Sequence, residues 1–112
     1  MQSVKEKWMN SKRATQLEVD ADGWRHVRYH ATRVVSWREN LNGSVDVILD
    51  SGGWRTVTTK QRMNEVSAKY GFGFVVSSLR GAWFVWLREE NKNISFKDGM
   101  KFTVTKEETP KP

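Results

Sequence analysis

The spacing of apolar and polar positions changes period once along this chain. Trp24 to Trp37 is rich in Val, Tyr, Thr and Trp and predicts one strand or two. Asn40-Leu41-Asn42-Gly43 closes a hairpin, and Val45 to Leu49 follows as a strand with Asp46 and Asp50 opposite Val45 and Val47. Ser51-Gly52-Gly53 predicts a bend. Trp54 to Thr58 then resumes the sheet, with Trp54, Thr56 and Thr58 on one face and Arg55 and Val57 on the other. After that the spacing becomes helical: Met63, Val66, Ser67 and Tyr70 fall at i, i+3, i+4 and i+7, so a helix runs from Lys60 to Tyr70, capped by Thr58 or Thr59 and stopped at Gly71.

Two apolar runs follow, Phe74 to Ser77 and Ala82 to Leu87, joined around Leu79-Arg80-Gly81. The second is apolar on both faces and predicts a central strand with the helix as cover. Ile94 to Phe96 and Lys101 to Val104, around Lys97-Asp98-Gly99, predict a last hairpin. At the N-terminus Ser3 and Glu6 make a capping-box pattern, with Val4 and Trp8 one turn apart, so a short helix is expected to about Arg13. The sum is an α+β fold: an antiparallel sheet of short strands packed with one firm helix, and no βαβ alternation. Residues 1–23 read as an extension, 24–105 as a single domain and 106–112 as a disordered tail.

Composition sharpens this. The chain of 112 residues is 38% hydrophobic and 12% aromatic, with six Trp and five Phe, enough for one core and too many indoles for all to be hidden. With no cysteine, disulfides, thiolate zinc sites and thiol nucleophiles are excluded. No signal peptide or membrane-length run occurs, so a cytoplasmic, membrane-free setting is expected. Residues 24–105 hold thirteen basic and seven acidic side chains and so carry the entire +6. A basic body between neutral tails suits a polyanion, although the same charge also serves solubility.

Candidate chemistry is sparse. Gly71-Phe72-Gly73-Phe74-Val75 resembles the aromatic signature of the RNA-recognition motif, but strands stand where that motif needs helices and its companion motif is missing. Gly71 is better read as the helix stop and Gly73 as a bend that turns Phe72 and Phe74 inward. On one strand His26 and His30 stand about 13 Å apart, too far to share a metal ion. There is no phosphate loop, no dinucleotide fingerprint and no nucleophile set beside a base, so neither catalysis nor a cofactor is expected.

Three Trp-Arg pairs recur: Trp24-Arg25, Trp37-Arg38 and Trp54-Arg55. Neighbouring strand residues face opposite ways, so each pair is expected to bury its indole and turn its guanidinium outward. Arg25, Arg38 and Arg55, joined by Arg28 or Arg33, then make a basic face for phosphates, unless Asp46 and Asp50 pair with them across strands.

The block Asp50 to Asn64, DSGGWRTVTTKQRMN, resembles small proteins of tailed bacteriophages in which a strand precedes such a block and an aromatic hairpin follows it. Here the strand is Tyr29 to Val35 and the hairpin Phe72 to Trp86, so the likeness spans about residues 29–104. It implies an infected bacterial cell as the setting, and no mechanism. The expected function is a non-enzymatic module that binds nucleic acid, with a host bacterial protein as the alternative partner and a virion role third. The expected contacts are Arg25, Arg28, Arg33, Arg38, Arg55, Lys60, Arg62, Lys69, Trp37 and Trp54, with Arg62 and Lys69 on the outward side of the helix.

Overall fold

The computed structural model describes residues 15–105. The elements run β1 (Thr15–Val19), β2 (Arg25–Tyr29), β3 (Thr32–Glu39), β4 (Ser44–Leu49), α1 (Val57–Tyr70), β5 (Phe74–Leu79), β6 (Ala82–Leu87), β7 (Lys92–Ser95) and β8 (Met100–Thr105). Two antiparallel sheets result, one ordered β1-β2-β3-β4-β8 and the other β5-β6-β7, with α1 between β4 and β5 in the chain. The class is α+β, as the pattern implied. The short helix and the tail expected at the two ends lie outside the described residues.

β1 falls within the stretch read as an extension, yet it is part of the larger sheet, with Leu17 opposite Val27 and Thr15 opposite Tyr29. Its Thr-Gln-Leu-Glu-Val alternation is the local reason. Between β2 and β3 the register slips: Val27 faces Val35, whereas Arg28 faces Arg33. Val34 is the extra residue of this bulge, and Val34 and Val35 are both buried as a result.

The helix starts earlier than its apolar spacing suggested. Thr56 takes an extended conformation and its Oγ1 accepts from the Thr59 N–H at 3.1 Å, which makes Thr56 the cap and draws Val57 and Thr58 into α1 instead of a strand. A cap satisfies a helix donor that no β-propensity can. At the far end Gly71 adopts a left-handed φ of 73°, and Phe72 and Phe74 turn into the core, 2% and 1% exposed.

α1 also finishes the smaller sheet. Asn64 Nδ2 donates to the Val76 carbonyl at 2.9 Å and its Oδ1 accepts from the Val76 N–H at 2.7 Å. Ser67 Oγ does the same for Phe74, donating to the carbonyl at 2.7 Å and accepting from the N–H at 3.0 Å. Two side chains, three residues apart on one helix face, thus stand in for a strand along β5.

The last hairpin is not formed. β7 pairs with β6, whereas β8 crosses to the larger sheet and pairs with β4, Val104 opposite Val45 and Phe102 opposite Val47. The turn between them docks elsewhere: Asp98 Oδ1 accepts from both the N–H and the hydroxyl of Ser51 at 2.7 Å, and Gly99 N–H donates to the Leu49 carbonyl at 2.8 Å. A carboxylate satisfying two donors of a distant bend outweighs the hairpin preference of Lys-Asp-Gly. A chain of rings, Trp37, Tyr70, Phe72, Phe74 and Phe102, then joins the two sheets through centroid distances of 4.9 to 6.4 Å.

Candidate binding surface

The Trp-Arg pairs do not share a face. Trp37 is buried, 3% exposed, against Tyr70 and Phe72, so it is a core residue and not a contact. Arg38 does point to the outer face, where its guanidinium lies 5.0 Å from the Trp24 ring. Trp24 reverses the expectation. It precedes β2 in a turn closed by Asp20, whose N–H donates to the Trp24 carbonyl at 2.9 Å, and Lys101 Nζ lies 6.0 Å from the same ring. Arg25 stands in register with Trp37, on the opposite face from Arg38.

Arg28 and Arg33 share one carboxylate. Glu18 on β1 accepts from Arg28 at 2.8 and 3.1 Å and from Arg33 at 2.9 Å. Asp46 lies directly across from Arg38. The continuous basic sheet face is therefore absent, because acids on neighbouring strands sit opposite most of its arginines.

Arg62 is likewise not outward. It is 4% exposed, its Nη1 donates to Glu65 at 2.9 Å, and its guanidinium lies 5.7 Å from the Tyr29 ring. The buried face of α1 includes Thr59, Arg62, Met63, Val66 and Ser67. This stripe is wide enough to take in Arg62 because both sheets pack on the helix. Lys69 is exposed in the last turn.

One polar constellation was invisible in the sequence. His26 Nε2 donates to Asp20 Oδ2 at 3.0 Å, so in the neutral ring Nδ1 accepts from the Ser36 hydroxyl at 2.8 Å. A nucleophile type does stand beside a base, contrary to the expectation. Ser36 is however 7% exposed in mid-strand, paired with His26 and Ile48 on either side, so no free backbone donors flank its hydroxyl to hold an oxyanion. The relay ties the Asp20 turn to the sheet. His30 lies apart, in the turn after β2, and among the described residues no cluster of His, Cys, Asp and Glu could hold a metal.

Three acids that fasten this outer face titrate below their usual range. Glu18 is held down chiefly by its hydrogen bond from Arg28, Asp20 by that from His26, and Asp46 by that from Thr103. A folded pKa below the unfolded one contributes stability that is complete above the ordinary carboxylate range and fades as pH falls through the folded value. Melting temperature is thus expected to drop as pH goes below about 4.5, and Glu18→Gln should shrink that drop. An equal acid drop in Glu18→Gln would remove Glu18 from the explanation.

The two stretches that the sequence set apart, Tyr29 to Val35 and Asp50 to Asn64, converge. Tyr29, His30, Ala31, Thr32 and Val34 from the first, and Ser51, Trp54, Thr56 and Thr59 from the second, line an open pocket of about 350 Å³. Its geometry is over-determined. Gly52, at φ 66°, packs so closely on Thr32 that an added Cβ would lie 2.2 Å from the Thr32 hydroxyl. Ser51 is tied to Asp98, and Arg62 backs the Tyr29 ring.

Trp54 stands at the rim, 73% exposed. Arg55 forms the apex of a tight turn in which the Thr56 N–H donates to the Trp54 carbonyl at 3.1 Å. Trp54 and Thr56 thereby face the pocket, while Arg55 projects over Trp83 and Phe96 at 5.9 and 5.0 Å from their centroids. Lys60 Nζ joins it, 5.7 Å from Trp83 and donating to Ser78 Oγ at 2.7 Å. Among the described residues neither cation pairs with a carboxylate. Of the expected contacts, then, Trp54, Arg55 and Lys60 come together. Tyr29, His30, Thr32 and Thr59 were missed, and the only sequence signal for them was the pair of blocks.

Among the described residues these features define a two-sheet α+β protein with one helix and an aromatic pocket rimmed by an exposed indole, with two cations beyond that rim. The chain belongs to the Kyanoviridae Gp96 protein family, which it matches over residues 1–103, and it is therefore a bacteriophage protein. The match takes in the first two dozen residues, which the likeness of the Asp50 block had left out. Neither a curated protein nor a solved structure matches the chain.

Proposed function

We propose that this phage protein binds single-stranded nucleic acid, without catalysis, in the cytoplasm of the infected bacterium. The observation that carries the reading is Trp54, a 73% exposed indole beside two cations without carboxylate partners among the described residues. An exposed indole offers a base a stacking face, and the cations answer the flanking phosphates. Of the other expected arginines, Arg28 and Arg33 share Glu18, Arg38 lies over Trp24, Arg62 is in the core and Arg25 stands on the opposite face from Arg38, so this corner replaces the broad basic face as the site.

Short DNA and RNA strands titrated against tryptophan fluorescence at several salt concentrations test it. Quenching that weakens with salt is expected, with Trp54→Ala lowering affinity about tenfold or more and the double variant Arg55→Ala/Lys60→Ala flattening the salt slope by about one to two. No binding even at low salt would overturn the reading.

A host protein as partner is favoured by a different observation: Val57 and Leu79, each 65% exposed, add apolar surface near Trp54 and Lys60. Trp and Arg beside such a patch are common hot-spot residues. In that case one host protein is retained by the wild-type chain and lost with Trp54→Ala, while oligonucleotides do not compete.

A further inference from the structure

We infer that the pocket beside Trp54 captures one unpaired nucleobase of the bound strand, a step that rests on the nucleic-acid reading and assigns the pocket a ligand. Its lining combines aromatic and aliphatic surface with hydroxyl groups and an imidazole, and a base meets both. Tyr29 and His30 form one wall, their ring centroids 4.3 Å apart and tilted by 56°, and Trp54 stands at the opposite block's edge. A planar ligand can stack on one of these rings while the other meets its edge.

Between them the polar groups are hydroxyls and an imidazole. Thr32, Thr56, Thr59 and His30 line the space, and no carboxylate, lysine or arginine does. An uncharged ligand with an apolar face and hydrogen-bonding edges fits such a lining, and a charged peptide does not. Thr59 is 2% exposed and shares a hydroxyl–hydroxyl hydrogen bond of 3.0 Å with Thr56 at the pocket wall. This pair of hydroxyls offers a base edge a polar partner beside the rings. The volume of about 350 Å³ lies at the small end of ligand pockets, enough for a base with its sugar at the mouth. The phosphates stay outside, where Arg55 and Lys60 lie beyond the Trp54–Thr56 rim.

His30 is the most telling residue. It occupies the first position of a two-residue turn, Tyr29 pairing with Thr32, and adopts φ 58°. Glycine takes that conformation most easily, histidine is among the side chains that tolerate it, and Arg80 adopts the same region in the turn after β5. What the position gains is a ring on the pocket wall.

The test compares a short single strand with the same strand stripped of its bases, both against the full chain at low salt. The abasic strand is expected to bind at least about fivefold more weakly. His30→Gly removes the ring while relaxing the turn, and Ala31→Phe fills the pocket from an exposed turn position. Both should lower affinity for the intact strand towards that of the abasic one and leave the abasic strand's affinity unchanged. His30→Gly should also melt no lower than the parent, which separates lost binding from lost folding. If intact and abasic strands bind alike, or the variants bind the intact strand as the parent does, base capture is wrong and nucleic-acid binding stands. If neither strand binds, both fall together.

Discussion

Replacing Phe74 by alanine is expected to destabilise the protein by about 4 kcal/mol, the largest single-residue effect anticipated in the smaller sheet. Phe74 is 1% exposed and stands in the middle of the ring chain, 6.4 Å from Phe72 and 5.6 Å from Phe102. Phe102 belongs to β8 of the larger sheet and Phe74 to β5 of the smaller, so the lost ring opens a cavity between two layers that cannot close independently. Domains of this size have a total stability of roughly 5–15 kcal/mol, so the variant should be marginal at best. Phe74→Leu keeps most of the volume and should cost roughly 1–2 kcal/mol. Urea titration followed by near-ultraviolet circular dichroism measures both. Equal, small losses for the two variants would show that the sheets do not depend on this contact.

Replacing Asn64 by leucine should cost about 3 kcal/mol for a different reason. Leucine preserves the apolar bulk of the helix face but leaves the Val76 N–H and carbonyl without their partner, and each orphaned backbone group costs about 1–3 kcal/mol when covered by protein. Asn64→Asp keeps the acceptor for the Val76 N–H and loses the donor, so its cost should fall between wild type and leucine. Hydrogen exchange at Val76 supplies the second readout: faster exchange is expected in Asn64→Leu and slower in Asn64→Asp. If both variants melt like the parent, water replaces the amide at this edge without penalty.

The residues explain which parts of the fold could be read in advance. α1 declares itself through Met63, Val66 and Ser67 on one face and Gly71 as its stop, all within one or two turns of each other. Its start was misplaced because Val57 and Thr58 favour strands, and Thr56 overrode them by capping. β1 was passed over because five residues beside a turn carry little weight until Leu17 is set against Val27.

The candidate site was legible only in outline. Trp54 and Arg55 were singled out, but as a pair with its indole buried, and Trp37 and Arg62 were placed among the contacts although the core holds both. Both Trp37 and Trp54 are followed by arginine, and what separates them locally is the residues before: Val34-Val35-Ser36 in one case and Ser51-Gly52-Gly53 in the other. Trp37 meets Tyr70 and Phe72, whereas Trp54 follows a Gly-Gly bend that leaves it outside the sheet.

By itself, then, the sequence determined the class of fold, the helix and most strands, because periodicity, caps and turn residues act over a few positions. Only the tertiary structure decided that β8 leaves β7 for β4, that Glu18 pairs with both Arg28 and Arg33, and that residues 29–34 and 51–59 enclose one pocket. Each of these joins segments far apart in the chain. Their energies depend on burial and on partners supplied by other strands, which no local pattern of apolar and polar residues encodes.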